Sequence, residues 1–211
     1  MQSHFSKCLR RVRLRLDRGA ELASKLDGMK KTLARALATV LLAAAAGGAA
    51  GFDLRPDGIA VQGSLGTHDT WMAGAAVMWD WDWEVLRRKA ELTAHTELFV
   101  NQWRADGVAG GRDSFTQLGV LPTLRFNLSQ GRSPWYLEIG VGASWMDRRF
   151  ETDERSFSTR FNFYDVLGAG YVFGERRQHE LGLRFIHVSN AGIKKPNPGQ
   201  DFLQLRYLAR F

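Results

Sequence analysis

Cysteine is almost missing. The single one in this 211-residue chain is Cys8, so nothing after residue 50 can form a disulfide or a thiolate metal site. Long apolar runs are also missing beyond residue 50. No stretch there approaches the roughly 20 residues a transmembrane helix needs. A charge excess is missing there too. The formal net charge is +7 with a sequence pI near 9.9, a balance that would suggest nucleic acid. Residues 1–50, however, hold ten Lys and Arg against three acids, and the remainder holds nineteen of each sign. The basic excess belongs to the N-terminal region, so no nucleic-acid partner is expected.

Several chemical motifs are lacking as well. There is no G-x-S-x-G elbow, which argues against an α/β-hydrolase. His68, His95 and His179 are scattered without metal spacing, so neither metal nor cofactor is expected. Gly168-Ala169-Gly170 has the glycine spacing of part of a dinucleotide loop, but it lies within a strand pattern and no helix follows.

What is present begins with an export signal. Met29-Lys30-Lys31 and Arg35 form a positive segment, residues 36–46 are apolar, and Gly47-Gly48-Ala49-Ala50 supplies small residues for cleavage. Residues 29–50 are therefore expected to be a signal peptide; an uncleaved anchor would want a longer apolar run. Residues 1–28 are expected to be an upstream extension, with Met29 the initiator. Residues 51–211 then form one exported domain.

That domain alternates with period two in about eight segments: 58–66, 72–81, 89–103, 116–127, 135–146, 158–173, 180–189 and 200–211. Short connections (82–88, 128–134, 174–179) alternate with mostly longer, more polar ones (67–71, 104–115, 147–157, 190–199). This pattern predicts an all-β fold, an eight-stranded antiparallel transmembrane β-barrel of the outer-membrane type. The alternative is a soluble barrel of the lipocalin kind. The last segment is the clearest: Leu203, Leu205, Tyr207, Ala209 and Phe211 share one face, while Gln204, Arg206, Leu208 and Arg210 lie on the other, with Leu208 the exception to its polarity. The seven tryptophans (71, 79, 81, 83, 103, 135, 145) are expected to form an interfacial girdle. Glu91, Glu97, Arg125, Glu138, Arg184 and Arg206 are expected to pair inside a barrel too narrow to be a pore.

The same parity isolates a chemical cluster. Leu181, Leu183, Phe185, His187 and Ser189 share the apolar face of the seventh segment, and Asp201 lies on the apolar face of the eighth. A base, a hydroxyl and a carboxylate have no structural reason to face hydrocarbon, where each costs several kcal/mol. Such a trio could carry out acyl transfer: Ser189 as nucleophile, His187 as base, and Asp201 fixing the imidazole tautomer. Donors for an oxyanion could come from the Asn190-Ala191-Gly192 turn or the Asn190 amide. The plainer alternative is a set of wetted rim residues. Lys194 and Lys195 could bind substrate phosphates, or be solvated loop charge.

The block His187-Val188-Ser189-Asn190-Ala191-Gly192-Ile193-Lys194, followed by Pro196-Asn197 and an acid at Asp201, resembles the C-terminal block of the PagL family, the lipid A 3-O-deacylases. The resemblance covers about 25 residues. It implies an outer-membrane serine esterase, free of metal and cofactor, that removes the 3-hydroxyacyl chain ester-linked at position 3 of lipid A. It implies lipid A or lipopolysaccharide as substrate and outer-membrane lipid as surroundings, and leaves a homodimer open. On this resemblance the nucleophile falls on Ser189, the base on His187, and the oxyanion-site residues on Asn190 and Gly192. The family's acid is usually Glu; Asp201 is one methylene shorter. Two rivals remain: a non-catalytic barrel that anchors or adheres, and a barrel acyltransferase or phospholipase.

Overall fold

The computed structural model describes residues 55–86 and 89–211. The signal peptide and upstream extension expected over residues 1–50 lie outside the described residues. Eight strands follow in order: β1 (Gly58–Gly66), β2 (Trp71–Leu86), β3 (Ala90–Asp106), β4 (Arg112–Leu128), β5 (Trp135–Met146), β6 (Phe161–Phe173), β7 (His179–Ser189) and β8 (Gln200–Arg210). Each pairs antiparallel with its neighbour, and β1 pairs with β8, so the sheet closes on itself and leaves no open edge.

Closure fixes the meaning of the alternation. On β7, Leu181, Leu183 and Phe185 are about half exposed, while Glu180, Arg184 and Ile186 between them are buried. On β8, Leu203 and Leu205 face out, and Gln204, Arg206 and Leu208 face in. Ile59, Val61, Leu98, Leu118, Leu137 and Leu167 continue the apolar exterior around the barrel. The exterior is thus a band of aliphatic side chains, as a barrel in lipid requires, while the interior holds the charged groups together with buried apolar and aromatic ones.

The interior is filled at two levels. From the middle to the short-turn end runs a ladder of ion pairs. Glu97 accepts from Arg184 Nη2 (2.7 Å) and Arg206 Nη2 (3.0 Å). Glu138 accepts from Arg184 Nε (2.5 Å), and Glu180 from Arg125 Nη1 (2.9 Å) and Arg210 Nε (2.6 Å). Five of the six expected interior groups join this ladder. Glu91 instead sits at the short-turn end, hydrogen bonded to Asn127. Above the ladder, towards the long-loop end, aromatic rings close the lumen. Trp103 packs edge-on against Phe202 (4.6 Å) and Phe150 (5.4 Å), and Phe150 meets Phe115 and Phe157. Gly170 shows how tight the filling is, since a Cβ there would fall 2.3 Å from the buried Tyr136 hydroxyl.

Three expectations need correction. The connection expected over 104–115 shrinks to residues 107–111, because β3 runs to Asp106 and β4 begins at Arg112, paired throughout. Strand β2 does not stop near residue 81. It runs to Leu86 past an irregularity between Asp80 and Glu84, because residues 84–86 find partners on β3 (Glu84 opposite Thr93). Trp103 is no part of an interfacial girdle. It is fully buried, on the same inward parity as Glu97 and Asn101.

Candidate active site

The connections at one end of the barrel are 67–70, 107–111, 147–160 and 190–199, and the last two are the longest. The chemical cluster is built there. Ser189 is the final residue of β7, and Asp201 is the second of β8. His187 and Asp201 are direct register partners. Directly opposed residues bring their Cβ atoms to about 5 Å, so a short aspartate reaches the ring without a glutamate's extra methylene. The His187 Nδ1 to Asp201 Oδ1 distance is 2.6 Å. The two side chains are 40% and 44% exposed on the barrel's outer face, among aliphatic neighbours.

Ser189 shares that parity in the strand but is buried, 8% exposed. Its hydroxyl accepts a long bond from the Ala191 N–H (3.4 Å) and makes no hydrogen bond to the imidazole. Nucleophile–base bonds are commonly loose before a substrate tightens the site.

Asn190 is the hub of the 190–199 loop. It is fully buried, and its Nδ2 donates to Ser158 Oγ (3.0 Å), Thr159 Oγ1 (3.1 Å) and the Lys194 carbonyl (2.8 Å). Its backbone N–H donates to Asn197 Oδ1 (2.9 Å), and its Oδ1 accepts from Gly192 N–H (3.0 Å). Asn190 and Gly192 are therefore next to Ser189 but already engaged; either would have to exchange a bond to hold an oxyanion. The backbone donor aimed at the Ser189 oxygen is Ala191. Lys194 and Lys195 lie in the same loop with exposed side chains.

One residue of the site escaped sequence reasoning. Asp165 on β6 is the register partner of His187 from the other side, so the imidazole stands between two carboxylate-bearing positions. Asp165 lies on an outward face with Phe161, Phe163 and Leu167, an acid among apolar residues, and that was the available signal. A cavity of about 540 Å³ opens at the opposite, short-turn end, lined in part by Asp82, Trp83, Glu84, Glu91 and Arg177. It contains no member of the cluster. Chemistry, not volume, locates the site on the outer face.

A closed eight-stranded barrel with an imidazole and a carboxylate paired on its outer, apolar surface, and a buried hydroxyl two residues along the same strand, defines a narrow class of protein. The sequence places the chain within it: residues 70–210 match the family model described as Lipid A 3-O-deacylase (PagL), and the chain belongs to that family. It is 35% identical over 115 residues to "Lipid A deacylase PagL" of Bordetella bronchiseptica, covering 54% of this chain and 61% of that protein. It is 29% identical over 133 residues to the protein of the same name from Pseudomonas aeruginosa, covering 61% of this chain and 72% of that one. The chain thus spans less than two thirds of the Bordetella relative's length. Its fold is similar to a structure titled "Crystal structure of the outer membrane enzyme PagL" (TM-score 0.64, 23% identity, 73% of this chain and 99% of that one).

Proposed function

We propose that this protein is a lipid A 3-O-deacylase of the bacterial outer membrane, a serine esterase that hydrolyses the 3-hydroxyacyl ester at position 3 of lipid A. The observation that carries the reading is the 2.6 Å His187–Asp201 bond on a surface otherwise given to aliphatic side chains. The membrane setting rests on that surface. An 11-residue strand such as β7, tilted by about 40°, rises about 26 Å, close to the height of an outer-membrane apolar band. The long loops are then extracellular. His187 and Ser189 occupy the last turn of the pleat below them, at the depth where lipid A esters lie beneath the phosphorylated sugars.

Ser189 Oγ attacks the ester carbonyl. His187 accepts the hydroxyl proton at Nε2 and returns it to the departing sugar oxygen; the second half, with water, repeats the cycle and frees the fatty acid. Asp201 holds the proton on Nδ1, which leaves Nε2 as the basic nitrogen, and it stabilises the imidazolium. The negative charge of Asp165 across β6–β7 favours the same cation. The Ala191 N–H is the nearest backbone donor for the developing oxyanion, with Asn190 and Gly192 shaping the turn that presents it. Lys194 and Lys195, both exposed in the same loop, would supply the positive charge for phosphates at the membrane surface.

The test is mass spectrometry of lipid A from cells with and without the protein. Loss of one hydroxyacyl mass, dependent on Ser189, supports the reading. An unchanged lipid A sinks it, and a mass gain points to acyl transfer instead.

A further inference from the structure

The tautomer of His187 is set by Asp201, but one hydrogen bond does not fix a ring. An imidazole tethered at Nδ1 can still swing about the line joining Nδ1 to the carboxylate, and the torsion to an sp² ring is broad. Something else must bear on the ring if Nε2 is to be presented to Ser189.

That something is Gly199. It lies two residues before Asp201, is buried, and has φ +71°, in the left-handed region. A Cβ built on it would sit 2.7 Å from His187 Cε1 and 3.3 Å from Nε2. The glycine backbone therefore lies close against the carbon between the two ring nitrogens, and only hydrogen fits between them. Gly199 is held in turn by Arg155, whose Nη1 donates to the Gly199 carbonyl (2.5 Å) and the Pro198 carbonyl (3.3 Å). A charged donor makes these stronger than neutral hydrogen bonds.

Arg155 comes from a different loop, and that loop is itself fixed. Glu151 and Ser156 form a bridge, and between them the Thr152 N–H donates to the Arg155 carbonyl (2.7 Å) while the Arg155 N–H donates to Thr152 Oγ1 (3.0 Å). Phe150 and Phe157 on either side are buried in the aromatic closure of the lumen. The side chain thus projects from a braced hairpin and acts on a neighbouring loop.

We infer that Arg155 is a positioning residue for His187: through the Pro198 and Gly199 carbonyls it holds the Gly199 backbone against the ring, and so aims Nε2 at Ser189. The inference rests on the esterase reading of Ser189, His187 and Asp201. It adds a residue 32 positions upstream of the base that touches neither substrate nor ring.

The experiment measures the rate at which a fluorophosphonate modifies Ser189 in the full-length protein folded in detergent, counted per heat-modifiable barrel. Because the reagent needs only an activated serine, it separates positioning from lipid preference. Arg155→Ala is expected to slow labelling by about 10- to 100-fold, the cost of a displacement of up to about 1 Å in a catalytic group. Arg155→Lys, which can still donate to a carbonyl, should recover to within about threefold of wild type, a rescue that a simple loss of loop packing would not give. Arg149→Ala, in the same loop but without the contact, should match wild type. Gly199→Ala keeps Arg155 and intrudes on the ring; it should lose at least as much as Arg155→Ala, and it decides the question if Arg155→Ala does not fold. Equal labelling of wild type, Arg155→Ala and Gly199→Ala overturns the inference, as does an equal loss in Arg149→Ala. A wild type that is not labelled at Ser189 overturns both this and the esterase reading. Labelling with the expected pattern but unchanged lipid A leaves the positioning role standing and removes only the substrate.

Discussion

The barrel carries charge in two places, and the two are organised in opposite ways. Inside, Glu97, Glu138 and Glu180 are buried and each meets two arginines within 3.5 Å. Outside, His187 and Asp201 stand about 40% exposed on an apolar surface and share one bond. The inner ladder has a structural reason: a polar lumen must neutralise its charges or they cannot be buried. The outer pair stabilises nothing that a leucine pair would not stabilise better. Polar residues that the fold does not need are where chemistry is to be sought.

Mutation can separate the two sets. The largest effect is expected outside. Ser189→Ala should remove deacylation altogether, read as lipid A mass, while heat-modifiable gel mobility reports an intact barrel and stability shifts by less than about 1 kcal/mol. A mutant that fails to fold would erase the contrast. Inside, Glu97→Gln should do the reverse. It leaves Arg206 with no carboxylate within bonding distance among the described residues and weakens the hold on Arg184. The expected cost is about 3–5 kcal/mol of folding free energy, measured by urea unfolding in detergent, with the rate per folded barrel unchanged. Asp201→Asn should slow turnover by about 10²-fold or more, because the amide can present either of two faces to Nδ1 and no longer stabilises the imidazolium; turnover equal to wild type would remove Asp201 from the mechanism. The smallest effect belongs to Lys194→Ala and Lys195→Ala. Exposed charges contribute about 0–1 kcal/mol, so each should raise KM by less than about fivefold in a vesicle assay, with kcat unaltered.

Much of this was legible in the sequence because a closed sheet obeys strict parity. Once Leu203 and Leu205 were placed outside, Asp201 had to follow, and His187 and Ser189 followed from Leu183 and Phe185. What parity could not supply was register and loop contact. Asp165 carried a signal, an acid on an apolar face, but its place beside His187 depends on the β6–β7 register. Trp103 was misplaced because it was grouped with the other six tryptophans as one girdle; its own parity with Glu97 pointed inward. The end of β2 was missed because Asp80, Asp82 and Glu84 resemble a charged turn in composition, whereas pairing with β3 decides the outcome. Arg155 belongs to none of these patterns. Its role follows from a contact between loops 147–160 and 190–199, which no local periodicity encodes.

The aromatic closure of Trp103, Phe115, Phe150, Phe157 and Phe202 has a consequence for turnover. With the bore sealed at that level, nothing the size of an acyl chain passes through the middle of the protein. On the proposed reading, substrate would reach Ser189, and products would leave it, along the outer wall alone, so saturation would follow mole fraction within the lipid sheet and not bulk concentration.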